Sequence, residues 1–130
     1  MRITKNEFEK LIVAKGLHIG KPRNKHNAVK TVVDNITFAS KAEAEYYRQL
    51  KHSQSIGTIS YFLRQVPFTL PGGTKYIVDF MIVHRNGTIS YVDVKGQTLA
   101  SFVRSKKQVE ALYPVVITVV KLIRGVFVEV

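Results

Sequence analysis

Apolar residues recur at helical spacing in two stretches of the first half of the chain and at strand spacing through much of the second. Thr4-Lys5-Asn6-Glu7 is a capping-box pattern, and Phe8, Leu11 and Ile12 after it predict a short helix that stops at Gly16. Thr31-Val32-Val33 and Ile36-Thr37-Phe38 flank the turn-forming pair Asp34-Asn35, which predicts a small hairpin or extended arm. Ser40-Lys41-Ala42-Glu43 is a second capping box and opens a helix running to about His52. From Thr58 the period becomes strand-like. Ile59 to Val66, continued through Pro67 to Leu70, reads as one strand region closed by Pro71-Gly72-Gly73, and Pro67 argues for an edge or a bend. Tyr76 to Val83 and Thr88 to Lys95, joined across His84-Arg85-Asn86-Gly87, form the strongest hairpin signal. A helix from about Leu99 to Leu112, stopped before Pro114, a largely apolar central strand from Val115 to Leu122 and a last strand from Val126 to Val130 complete the order. The expected core is therefore αβββαβ, an α/β (α+β) sandwich around a mixed sheet, in one domain: residues 1–30 as a basic helix and arm, residues 31–130 as the folded body.

Composition narrows the function. The longest apolar run, around Val115 to Val120, is far short of a membrane span. The absence of cysteine excludes disulfides, thiolate metal sites and cysteine nucleophiles, and the N-terminal residues lack the apolar core of a signal peptide, so the expected compartment is the cell interior. Twenty Lys and Arg against nine Asp and Glu give +11, a balance that favours polyanionic partners, nucleic acid first. Residues 1–30 carry +6 of it, with Lys21, Arg23, Lys25 and Lys30 among loop formers that suit a segment lying along phosphates; a solvated surface loop is the alternative. Arg104, Lys106 and Lys107 lie on the predicted second-half helix and could line the same surface.

Two acids stand where carboxylates are costly. Asp79 and Asp93 interrupt β-branched and aromatic runs and need partners there. Period-two geometry puts Asp93 and Lys95 on one face of a strand. A two-residue Asn86-Gly87 loop would set Asp79 opposite Val94, whereas a three-residue Arg85-Asn86-Gly87 loop with Gly87 left-handed sets Asp79 opposite Asp93; the second register is the one expected. Carboxylates that close are tolerable mainly around a divalent cation, and oxygen ligands point to Mg²⁺ or Mn²⁺. A structural buried ion pair is the alternative. On the preceding helix, Glu43 shares the stripe of Tyr46, Tyr47 and Leu50, while Glu45 lies about 200° away with Arg48, Gln49 and His52, so Glu43 is the third acidic candidate. Helix capping alone would also explain it.

The blocks FASKAEAEYYRQL, VPFTLP, YIVDF and NGTISYVDVKG, in that order over residues 38 to about 114, resemble the PD-(D/E)XK nucleases, and within them phage endonuclease I, the Holliday-junction resolvase, and the small phage proteins related to it. Two departures are Val78 where the motif has proline and Asp93 where glutamate is commoner. The resemblance implies a restriction-endonuclease-like fold, Glu43, Asp79 and Asp93 as the acids of the site, Lys95 as its lysine, and Mg²⁺ or Mn²⁺ held by Asp79, Asp93, Glu43 and the Val94 carbonyl. It implies hydrolysis of phosphodiesters in branched DNA such as four-way junctions, a homodimer able to cut twice, and the cytoplasm of a bacterial host if the chain is phage-encoded. Gln97, just past Gly96, could bond the substrate backbone. The alternatives are a nuclease acting on ordinary duplex DNA, by nicking or restriction-like cutting, and a basic DNA-binding protein that keeps the fold without catalysis.

Overall fold

The computed structural model describes residues 30–96 and 100–130. The expected N-terminal helix, the cations Lys21, Arg23 and Lys25, and Gln97 lie outside the described residues. The remainder follows the expected order. Strands β1 (Thr31–Val33) and β2 (Ile36–Phe38) pair antiparallel around Asp34 and Asn35, whose φ values of 52° and 62° are those of a two-residue hairpin turn. Helix α1 (Lys41–Ser55) starts at Ser40, whose hydroxyl accepts the Glu43 N–H at 3.1 Å. It is one turn longer than the sequence suggests.

Strands β3 (Ile59–Thr69), β4 (Lys75–His84), β5 (Ile89–Val94), β6 (Ile117–Ile123) and β7 (Val126–Glu129) form a five-stranded mixed sheet in that order. The β5–β6 pair is parallel and the other pairs are antiparallel. Helix α2 (Ala100–Leu112) makes the crossover between β5 and β6. The long β3 is an edge strand, which accommodates Pro67 without losing a ladder bond in the sheet interior. The apolar β6 is interior but not central; β5 holds the middle, because β7 folds back on β6. This is the α/β arrangement around a mixed sheet expected from the order of elements, and it is consistent with the restriction-endonuclease-like fold that the resemblance implied.

The β4–β5 turn sets the register that matters. Gly87, at φ 88°, donates its N–H to the His84 carbonyl at 2.9 Å, and Asn86 Oδ1 accepts the Thr88 N–H at 3.0 Å. The loop is thus Arg85-Asn86-Gly87, and Phe80 pairs with Val92 and Val83 with Ile89.

Two apolar clusters hold the sheet. Phe38, Ala44, Tyr47, Leu50, Phe80, Ile82, Val92 and Val120 pack between α1 and the sheet. Leu70, Tyr76, Val78, Val109 and Ile117 form the second, with Phe102 of α2 against it. The β3–β4 ribbon feeds both clusters, with Phe62, Phe80 and Ile82 in one and Val66, Phe68, Tyr76 and Val78 in the other. The changeover falls at Gln65 and Asp79.

Candidate active site

The β4–β5 ladder ends at Phe80 and Val92, and beyond it two side chains replace backbone pairing. Asp93 Oδ1 accepts the Asp79 N–H at 2.9 Å, and Asp79 Oδ2 accepts the Val94 N–H at 2.9 Å. The two carboxylates therefore share one face at the point where the strands part. Lys95 follows β5, anchored by its own N–H on the Val120 carbonyl at 3.0 Å. Its ammonium stands 3.8 Å from Asp79 Oδ2 and 3.9 Å from Asp93 Oδ1, and 5.0 Å from the ring centre of Phe102. The expected convergence of Asp79, Asp93 and Lys95 is present.

Glu43 joins them from α1. Its stripe is the buried one, with Ala44, Tyr47 and Leu50, while Glu45 faces outward and pairs with Arg48 at 3.3 Å. Its backbone serves the helix cap, and its carboxylate accepts from the Ala39 backbone and from Gln65 Nε2 at 3.3 Å, with Arg64 3.9 Å away. Cap and site are thus combined in one residue. Burial raises the Glu43 carboxyl above its ordinary value, against the pull of Arg64 and Lys95. Burial also pushes Asp79 up to about 7, opposed by Lys95 and reinforced by the charges of Asp93 and Glu43. Three carboxyl groups thus share one field, faced by Lys95 and Arg64.

Three oxygen-donor side chains are the residue types that could hold a hard divalent ion. The geometry is tighter than expected. Asp93 is 0% exposed, and both of its oxygens are engaged, Oδ1 by the Asp79 N–H and Oδ2 by the Tyr76 hydroxyl. Among the described residues no group of three or more His, Asp or Glu side chains is close enough to surround an ion. Asp79, at 8% exposed, is the more accessible of the two aspartates. Asp79 and Asp93 are the residues of the site that could hold such an ion, although one Asp93 oxygen is taken by the Tyr76 hydroxyl and the other by the Asp79 N–H.

Arg64, Gln65, Tyr76 and Phe102 complete the site, and sequence reasoning missed all four. Arg64 is a lone cation in an apolar strand run, a signal of the kind that singled out Asp79. Gln65, Tyr76 and Phe102 carry no comparable signal.

Residues 23–124 match the family described as Protein of unknown function (DUF1064). The chain belongs to DUF1064. No curated protein sequence matches it. The basic candidates of this DUF1064 chain divide in the structure. Lys30, Arg104 and Lys107 are exposed. Lys106 is half-buried, and its ammonium pairs with Glu110 at 3.0 Å, one helical turn along α2. No helix among the described residues is long and apolar enough to cross a membrane.

Proposed function

We propose that this DUF1064 chain is a metal-dependent endodeoxyribonuclease of PD-(D/E)XK type, acting on branched DNA such as four-way junctions. One observation carries the reading: two carboxylates from neighbouring strands meet where their ladder ends, with a lysine ammonium 3.8 and 3.9 Å from them. A purely structural clasp would not need Glu43, a third acid that raises the cost of charging Asp79.

Asp79 and Asp93, with Glu43 and the Val94 carbonyl, would hold Mg²⁺ or Mn²⁺. When bound, such an ion supplies Lewis-acid activation of the phosphodiester. Lys95 as the ammonium offsets charge beside the scissile phosphate and orients the attacking water, or takes the water's proton after giving up its own to solvent. In-line attack leaves a 5′-phosphate and a 3′-hydroxyl. The Lys95 ammonium is restrained by both carboxylates and by Phe102, so it enters the reaction already positioned. Exposed Lys30, Arg104 and Lys107, with Lys21, Arg23 and Lys25 of the basic arm, supply the phosphate contacts. The branched substrate and a homodimer that makes two incisions rest on the resemblance to the junction resolvase.

The burial of Asp93 favours a second reading, a basic DNA-binding protein that retains the fold without cutting. One gel separates the two. A four-way junction, a single strand and a linear duplex are each incubated with Mg²⁺, Mn²⁺ or EDTA, using wild type and Lys95→Ala. Cutting of the junction that requires metal and Lys95 is the expected result. Cutting of linear duplex alone would shift the substrate, and binding without cutting on every DNA form would favour the non-catalytic reading.

A further inference from the structure

Arg64 and Gln65 are neighbours on β3, yet both reach the same oxygen of Glu43, at 3.9 and 3.3 Å. In a regular strand successive side chains point to opposite faces, so two adjacent residues cannot both do this. Arg64 follows the alternation: its guanidinium lies over the Phe38 ring at 4.4 Å, on the α1 side of the sheet. Gln65 has the parity of Leu63 and is exposed like it, yet its amide turns back to Glu43. The break in alternation is visible in its backbone, because Gln65 has a φ of 54° in the middle of an eleven-residue strand. That left-handed conformation is costly for a residue with a Cβ and persists only where the surroundings compensate for it. Its place in the sheet is also specific. Arg64 pairs with Phe80 and Val66 with Val78, which sets Gln65 across from Asp79.

We propose that Gln65 is a positioning residue of the acidic site: the left-handed turn in β3 is retained because it swings the amide donor of Gln65 onto the Glu43 carboxylate and holds that acid beside Asp79. The proposal rests on the nuclease reading of the site, but it can be tested apart from it. A glycine relaxes the backbone at this φ and removes the amide at once. Asparagine tolerates the left-handed conformation while its shorter amide falls short of Glu43.

Gln65→Gly and Gln65→Asn are each made alone and together with Glu43→Ala, and the two double-mutant cycles are read by thermal unfolding, alongside Mg²⁺-dependent junction cleavage by wild type and the Gln65 variants. If the amide holds Glu43, the effects of the Gln65 and Glu43 substitutions on melting temperature should be non-additive in both cycles. Gln65→Gly should also melt about 2–5 °C higher, because strain is released. Its kcat should fall about tenfold with KM little changed. Additive effects in both cycles would overturn the proposal, whatever the single variants do, and would make the turn a packing feature. If wild type cuts no DNA, the nuclease reading fails by itself, and the two double-mutant cycles still decide the role of Gln65.

Discussion

Asp79 and Asp93 clasp each other's strands: each carboxylate accepts a backbone N–H from the opposite strand at 2.9 Å, from Asp79 itself in one direction and from Val94 in the other. The pair therefore does two jobs that can be separated, one as hydrogen-bond acceptors that end the β4–β5 ladder and one as charges facing Lys95. The first job needs only an oxygen, whereas the second needs an anion.

Asp79→Asn and Asp79→Ala should consequently differ. The asparagine can still accept the Val94 N–H through its amide oxygen and should unfold near wild type, while the alanine orphans that buried donor and should cost about 1–3 kcal/mol in urea denaturation. Both should lower junction cleavage about 100-fold or more. The pH dependence adds a check. Asp79 has its carboxyl pushed up to about 7 from an ordinary 3.8, so the fold favours its neutral form. The resulting stability is full below the ordinary value and is lost as pH rises toward 7. Wild type should lose stability across that window relative to Asp79→Asn, measured by urea midpoints from pH 4 to 8. A parallel pair of curves would mean that Asp79 is charged throughout.

The cations of α2 should divide by what they touch. Arg104→Ala and Lys107→Ala, at exposed positions, should each reduce the salt dependence of DNA binding by about one unit of log–log slope. Lys106→Ala removes an i, i+4 pair with Glu110 instead, so it should leave the slope nearly unchanged and cost about 0.3–0.5 kcal/mol of stability. Fluorescence anisotropy across a salt series reads the first effect and denaturant titration the second. Equal slopes for all three variants and wild type would remove α2 from the DNA surface.

What was legible in the sequence was local chemistry with a fixed geometric consequence. Asn86-Gly87 after Arg85 specified a bulged loop, the loop specified the register, and the register brought Asp79 to Asp93. Ser40 and Glu43 announced a helix start, and helical periodicity separated Glu43 from Glu45. Gln65 was invisible because no glycine marks its left-handed turn and its partner Glu43 lies 22 residues away along the chain. Tyr76 was hidden for a different reason: three residues before Asp79 it looks like ordinary strand packing, and only the folded hairpin shows that its hydroxyl faces Asp93. The same contact explains why Asp93 is more deeply covered than its expected ligand role implied. Lys106 was read by type as a phosphate contact, and its partner Glu110 is engaged by a second element, which spacing alone does not show.

Glu110 should be a measurable stabiliser. Its carboxylate accepts the Lys106 ammonium at 3.0 Å and the Ile117 N–H at 2.9 Å, tying α2 to the start of β6. Burial alone would raise its carboxyl, but these two donors overcome that and hold it below its ordinary 4.5. A carboxyl lowered in the fold contributes stability that is present above the ordinary value and lost as pH falls through the folded one. Glu110→Gln should therefore cost about 1 kcal/mol at pH 7, a figure kept small because the side chain is partly exposed. The gap between variant and wild type should close below pH 4.5 in denaturant titrations. A gap that stays constant to low pH would assign the effect to shape and not to charge.

Tyr76 supplies the sharpest test of whether the clasped aspartates are also metal ligands. Its hydroxyl, itself pushed above the ordinary tyrosine range by burial and by Asp93, donates to Asp93 Oδ2 in a residue that is 0% exposed. Tyr76→Phe leaves that oxygen buried without its donor, at a cost of about 1–3 kcal/mol in metal-free buffer. If Asp93 is a ligand, the freed oxygen is then available to a divalent ion, and binding to the folded state alone restores stability by mass action. Mn²⁺ should raise the melting temperature of Tyr76→Phe by more than it raises that of wild type, and Asp93→Asn added to Tyr76→Phe should abolish the difference. A variant destabilised equally with and without Mn²⁺ would leave Asp93 as a structural acceptor and confine any metal to Asp79 and Glu43.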